Sequence, residues 1–200
     1  MKRLLVLLLS LCFSCSLFAD AKAVRQTVLD VQKNILAGNL QNAVKYYHKN
    51  FISIDSKGKK TNIRHLRSAV NTHKRFQQAI KPDSKLLDIV SFYSYARRKK
   101  LSDEDKKTVL AIQDSEIGKT RADALRKELK QLWDVQFKKM SDSWSTLKIV
   151  SASVNGNSAQ VVFTMTSSSK VPEEVTWDLV KVKKSWRIIK SVSKYIKQEK

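Results

Sequence analysis

The spacing of apolar residues changes along this chain, and that change constrains the fold more than any other feature. Helical periodicity runs through the front, from Val24 to Ala79, and strand periodicity fills the back, from Leu147 to Ile196. A long helical stretch lies between them. Helices and strands segregated in this way read as an α+β fold.

In the front, Val24, Val28, Val31 and Ile35 recur at helical spacing, and Gly38-Asn39 ends that helix. Leu40, Ala43, Val44 and Tyr47 mark a second helix, which the pattern carries to near Asn50. Phe51-Ile52-Ser53-Ile54 then favours a short strand, closed by the turn residues Asp55-Ser56-Lys57-Gly58. A third helix is predicted over 62–79, with Ile63, Leu66, Val70 and Phe76 inward and Pro82 limiting its extent.

The back predicts a meander. Leu147 to Val154 and Ala159 to Thr166 are strands joined at Asn155-Gly156, a strong hairpin signal. Glu174 to Lys183 follows, with Val175, Trp177 and Leu179 on one face and Asp178 on the other. After the Lys183-Lys184-Ser185 turn, the strand Trp186 to Ser193 closes the set, and Ser167 to Pro172 reads as a loop.

The first residues form a leader. Met1-Lys2-Arg3 is basic, Leu4 to Phe18 is almost continuously apolar, and Ala19-Asp20-Ala21 fits an A-x-A cleavage site, so residues 1–21 read as a signal peptide and 22–200 as the mature domain. The apolar run is shorter than the roughly 20 residues that span a bilayer. Export to the periplasm or beyond is therefore expected. A lipoprotein acylated at Cys15 competes with this reading, since Ser14 before it is suitably small, although Cys12 stands where a lipobox usually has leucine. Both cysteines lie in the leader, which leaves the mature chain without a disulfide, a thiolate nucleophile or a cysteine metal ligand.

Removing 21 of 200 residues leaves 179, enough for one domain with a sizeable core, and 42% hydrophobic content supports folding. The 39 Lys and Arg against 18 Asp and Glu give a net charge of +21. In an exported protein such a surface suits an anionic envelope: lipid headgroups, lipopolysaccharide or wall polymers. The basic residues are scattered, in Lys57 to Lys60, Arg97 to Lys100, Lys181 to Lys184 and the tail Lys194 to Lys200, without interleaved aromatic residues. They read as a solvated face, and a nucleic-acid partner is not expected.

The stretch Ala37-Gly38-Asn39-Leu40, followed by Tyr46-Tyr47-His48-Lys49-Asn50-Phe51-Ile52-Ser53-Ile54-Asp55-Ser56-Lys57-Gly58 and a helix, resembles the opening of the NTF2-like superfamily, which includes the SnoaL-like domains. Trp177-Asp178-Leu179-Val180-Lys181 and Trp186-Arg187-Ile188-Ile189-Lys190-Ser191-Val192 look like its tryptophan-centred ending. The resemblance covers about half of the mature chain. It implies a curved antiparallel sheet wrapped around N-terminal helices to leave a conical pocket. The chain departs from the family between the third helix and the first long strand, where Ser84 to Met140 inserts 57 residues that read as helices. Leu86, Leu87, Ile89, Val90 and Tyr93 suggest one, Ser102 with Asp105 resembles a capping box opening a second, and a third follows Gly118. The last carries a stripe of Leu125, Leu129, Leu132, Trp133, Phe137 and Met140, which suits core packing, a lid over the cone or a homodimer contact.

In enzymatic relatives a carboxylate or a His/Asp pair inside the cone abstracts a proton while a tyrosine or protonated acid stabilises the oxyanion. Candidates for such a role are few here. His48 is placed at a helix end, where the dipole welcomes a cation, and His65 and His73 share one face of the third helix. No metal-ligand spacing and no glycine-rich phosphate loop occurs, so neither metal nor cofactor is expected and no catalytic residue is assigned. The candidates for lining the pocket are aromatic: Tyr46, Phe51, Tyr93, Trp144, Phe163 and Trp177. The expected function is an exported binding or interaction module holding an apolar or amphipathic small molecule or lipid in the cone. The alternative is a cofactor-free isomerase, dehydratase or hydrolase working by general acid/base chemistry.

Overall fold

The computed structural model describes residues 20–97, 99–167 and 169–196. Residues 1–19, which hold most of the expected leader with Cys12 and Cys15, lie outside the described residues, as do Arg98, Ser168 and residues 197–200. Among the described residues no helix is long and apolar enough to cross a membrane.

Two compact units divide the chain. A sheet unit takes the residues up to Leu66 and from Met140 onward, and a helical unit takes Arg67–Lys139. In the sheet unit, helix α1 (20–36) is followed by α2 (Leu40–Val44) and strands β1 (Tyr47–Ile54) and β2 (Lys60–Asn62). After the helical segments α3 (Ile63–Ala79), α4 (Leu86–Ala96), α5 (Asp103–Ile112) and α6 (Glu116–Ser145) come β3 (Lys148–Asn155), β4 (Ser158–Thr166), β5 (Pro172–Val182) and β6 (Ser185–Tyr195). The unit boundaries fall inside α3 and inside α6.

The six strands form one sheet in the order β2-β1-β6-β5-β4-β3. Every neighbouring pair is antiparallel except β1 and β6, which run parallel with Tyr47 opposite Ile188. The register shifts on β1, on β3 and on β6, the irregularities at which strands bend. The result is an α+β arrangement, with helices leading into a bent, largely antiparallel sheet.

Local chemistry explains the elements. Val24, Val28, Val31 and Ile35 lay the apolar stripe of α1 on the sheet face formed by Val161, Phe163, Val175, Trp177, Leu179 and Ile188. Each such side chain fully buried contributes about 1.5–3 kcal/mol. Helix α1 ends where Gly38 takes φ +71°, its N–H bonding the Ile35 carbonyl while the N–H of Asn39 bonds that of Asn34. This pairing closes a helix through a left-handed glycine. Asn39 then caps α2, its side chain accepting from the Asn42 N–H. At the Asn155-Gly156 hairpin, Asn155 pairs with Ser158 and Gly156 supplies the positive φ of a two-residue turn.

The second helix is shorter than its apolar spacing predicts. It stops at Val44, and Tyr47 and His48 belong to β1. The cause is long-range: the Ile188 N–H of β6 bonds the Tyr46 carbonyl at 2.9 Å, drawing 46–47 into the parallel pair. His48 is thus on a strand rather than at a helix end, and its Nδ1 accepts from the Asn50 N–H at 3.2 Å.

In the helical unit, Phe76 and Ala79 of α3, Leu86, Ile89 and Phe92 of α4, and Ala122 and Leu129 of α6 form a second core, with Leu125 and Trp133 against it. Leu132 of the α6 stripe stays 55% exposed. Ser102 caps α5 in a capping box with Asp105, as the sequence predicts. Helix α6 begins at Glu116 and contains Gly118, which the sequence suggested as its boundary. A Cβ at Gly118 would stand 2.0 Å from the carbonyl oxygen of Ile112. The glycine is there for the close approach of backbone at the α5–α6 junction.

Candidate functional site

Three short segments of the sheet unit surround a cleft of about 640 Å³. One is a polar flank of α1 formed by Gln26, Thr27, Asp30 and Asn34. The second is Asn42, Lys45 and Tyr46 from α2 and the link to β1, and the third is Lys184, Ser185, Trp186 and Arg187 at the β5–β6 turn. The α1 flank lies beside the apolar stripe at the same helical spacing, so burying Val24 to Ile35 on the sheet leaves these polar residues at the margin. The parallel β1–β6 pair brings the other two segments together, and Arg187 strengthens that junction by donating from Nη1 to the Lys45 carbonyl.

Asp30 is held in place from three directions. Gln26 donates to its Oδ1 at 2.9 Å, the Tyr46 hydroxyl donates to its Oδ2 at 3.3 Å, and Asn34 donates to its backbone carbonyl at 2.8 Å. Burial raises the Tyr46 phenol above its ordinary pKa, the Asp30 carboxylate adds to the rise, and Arg187 opposes it. The hydroxyl therefore remains a donor at neutral pH. Lys45 donates to Asn42 Oδ1 at 2.7 Å.

Of the aromatic residues expected to line a pocket, Tyr46 lies in this cleft. Phe51, Phe163 and Trp177 are at most 3% exposed and pack in the sheet-unit core. The rings of Phe163 and Trp177 meet edge to face at 4.9 Å, and Tyr47 meets Phe51 in the same way at 4.7 Å. Trp144 packs against that core 6.1 Å from Trp177, and its carbonyl accepts from Gln32. Tyr93 belongs to the helical unit, where its hydroxyl donates to Glu128 at 2.8 Å and Arg97 covers its ring. There too, a cavity of about 390 Å³ between α3 and α4 is lined by Arg75, Asp88 and Tyr95 among others. His73 is buried and stacked on Trp133 at 4.7 Å, whereas His65 is exposed beside Asn62. Asp178 sits on the sheet face away from the core, as alternation predicts, accepting from Gln160.

No family model and no curated protein matches the chain. Solved structures similar to it include an NTF2-like protein with a cystatin-like fold from Novosphingobium aromaticivorans, at 9% identity and a TM-score of 0.49, covering 94% of this chain and 90% of that one. A domain of unknown function with a cystatin-like fold from Nostoc punctiforme matches at 10% identity and a TM-score of 0.47, covering 90% and 79%. An NTF2-like protein of unknown function from Shewanella baltica matches at 8% identity and a TM-score of 0.45, covering 90% and 97%.

Proposed function

We propose that the protein is an exported binding module whose ligand occupies the cleft between α1, α2 and the β5–β6 turn. The observation that carries this reading is a polar wall built before any ligand arrives: Gln26, Asn34 and Tyr46 fix Asp30, and Arg187 ties the turn to the Lys45 carbonyl. Preorganised polar groups around a concavity are what a binding site requires. Export is supported by the leader pattern of residues 1–21, and the cationic composition suits an anionic envelope. A polar ligand is favoured over an apolar or lipidic one, because Phe51, Phe163 and Trp177 are buried in the sheet-unit core.

A second reading rests on the Asp30–Tyr46 pair. A carboxylate 3.3 Å from a phenol that stays protonated is a base beside a hydrogen-bond donor, the minimum for cofactor-free proton transfer. Native mass spectrometry of the mature protein purified from its own envelope separates the outcomes. A small polar molecule bound one to one, and lost in an Asn34→Trp variant that fills the cleft, supports the binding reading. Identical empty spectra for both proteins overturn it. Recovery of a chemically altered molecule that Asp30→Asn leaves unaltered establishes the catalytic reading instead.

A further inference from the structure

The wall of the cleft is unevenly charged. Lys45, Lys184 and Arg187 face it with three cations against one carboxylate, Asp30. Asp30 accepts from Gln26 and Tyr46, and among the described residues none of the three cations forms an ion pair with it. Arg187 spends one donor on the Lys45 carbonyl and retains others, since a guanidinium carries five N–H groups.

Trp186 stands in the same wall, between Lys184 and Arg187 in the chain and 4% exposed. Its buried Nε1–H has no acceptor among the described residues. Trp177, on the neighbouring strand, donates its own Nε1–H to Ser191 at 3.1 Å. Native proteins rarely leave a buried donor unmet. An orphan N–H in a wall that also carries Lys184 and Arg187 calls for an acceptor, and an anionic oxygen suits both the donor and the charges.

Resting on the reading of the cleft as the binding site, we infer that it recognises its ligand through an oxyanion group. Arg187, Lys184 and Lys45 supply the charge, and Trp186 supplies a neutral N–H. Three cations against one carboxylate leave a net two positive charges. The match is to the two negative charges that a phosphate monoester approaches near neutral pH, and a carboxylate would leave one cation unanswered.

The chain has four tryptophans, so ¹⁵N labelling of the mature protein gives a short set of indole N–H resonances, and Trp186→Phe identifies the one that matters. Sodium phosphate is titrated at constant ionic strength against sodium chloride. The Trp186 indole resonance is expected to shift saturably with phosphate and not with chloride, while those of Trp133, Trp144 and Trp177 stay still. Lys184→Gln and Arg187→Gln are each expected to weaken the affinity about tenfold, the loss of roughly one charge-assisted hydrogen bond. Arg187 also holds the Lys45 backbone, so the exposed Lys184 is the variant that tests binding without burdening the fold.

Glucose serves as the neutral polar probe. Movement of the Trp186 resonance with glucose and not with phosphate overturns the oxyanion inference and leaves the cleft a binding site. No movement with either probe removes both readings. Vesicles of phosphatidylglycerol, compared with phosphatidylcholine, identify the source of the group: a Trp186 response confined to phosphatidylglycerol assigns the oxyanion to a lipid headgroup, and a response to free phosphate assigns it to a soluble molecule.

Discussion

Inside the sheet-unit core, the indole Nε1–H of Trp177 donates to Ser191 Oγ at 3.1 Å, joining β5 to β6 directly across the register where the two residues pair. Both residues are buried, Trp177 at 2% exposure and Ser191 at 7%. The bond explains a serine on the inward face of a strand whose other inward residues, Trp186 and Ile188, are apolar. Ser191→Ala would strand the Trp177 donor away from water. A loss of about 1–3 kcal/mol is expected for an orphaned buried donor. Urea denaturation checks it, as a lowered midpoint with an unchanged slope.

Alkaline pH should loosen the same region. Burial pushes the Tyr47 phenol well above its ordinary pKa of 10.0, and the ring packs against Phe51 and Trp177. The unfolded chain then ionises at Tyr47 before the folded one does. The stability contributed by the neutral phenol is fully present below pH 10 and falls as pH rises beyond it. Tyr46 adds a contribution of the same sign. The midpoint of thermal unfolding, followed from pH 8 to pH 11 in wild type and in Tyr47→Phe, should fall less steeply in the variant. Parallel curves would remove Tyr47 as the cause.

In the helical unit, Gly118 makes an equally specific demand. Alanine normally stabilises a helix interior relative to glycine by about 1 kcal/mol. At Gly118 the added methyl would instead meet the carbonyl oxygens of Ile112 at 2.0 Å and Gln113 at 2.8 Å, both backbone atoms that yield only if the α5–α6 junction opens. Gly118→Ala is therefore expected to destabilise by roughly 1–3 kcal/mol, the range for overpacking. Hydrogen exchange at the amides of α5 and the first turns of α6 should accelerate, with the sheet amides unchanged.

Much of the fold was written in local signals. The stripe from Val24 to Ile35, the stop at Gly38-Asn39, the Ser102–Asp105 box and the Asn155-Gly156 turn each act over a few residues, and each appears where its chemistry puts it. What stayed hidden depends on distant partners. Tyr47 fits the apolar spacing of α2, and only its pairing with Ile188, more than a hundred residues on, makes it a strand residue. Gly118 reads as a helix boundary until the Ile112 carbonyl shows why a side chain is excluded. The cleft is the extreme case. Gln26, Asp30 and Asn34 do recur at four-residue spacing, but the polar margin of any amphipathic helix looks the same, and nothing local joins that margin to Trp186 and Arg187. The sequence singles out Tyr46 for its ring, whereas its hydroxyl is what connects it to Asp30.

If the protein is exported as proposed, the point at which its leader is cut has a structural consequence. Asp20 lies in α1 and accepts from Lys181 Nζ at 2.7 Å, each side chain being 29% exposed, and the same ammonium stands over the Trp186 ring with its nitrogen 5.5 Å from the centroid. Cleavage after Ala21, which the A-x-A pattern favours, removes Asp20 and with it the ion pair; cleavage after Ala19 keeps both. A partly exposed pair of this kind is worth at most about 1 kcal/mol. A protein beginning at Asp20 should therefore be more stable than one beginning at Lys22 by about that amount at low salt, with the gap narrowing as salt screens the pair. Lys181→Ala should erase the difference between the two proteins. A gap that persists in the Lys181→Ala background would assign it to the added helical residues and not to the Asp20–Lys181 bridge.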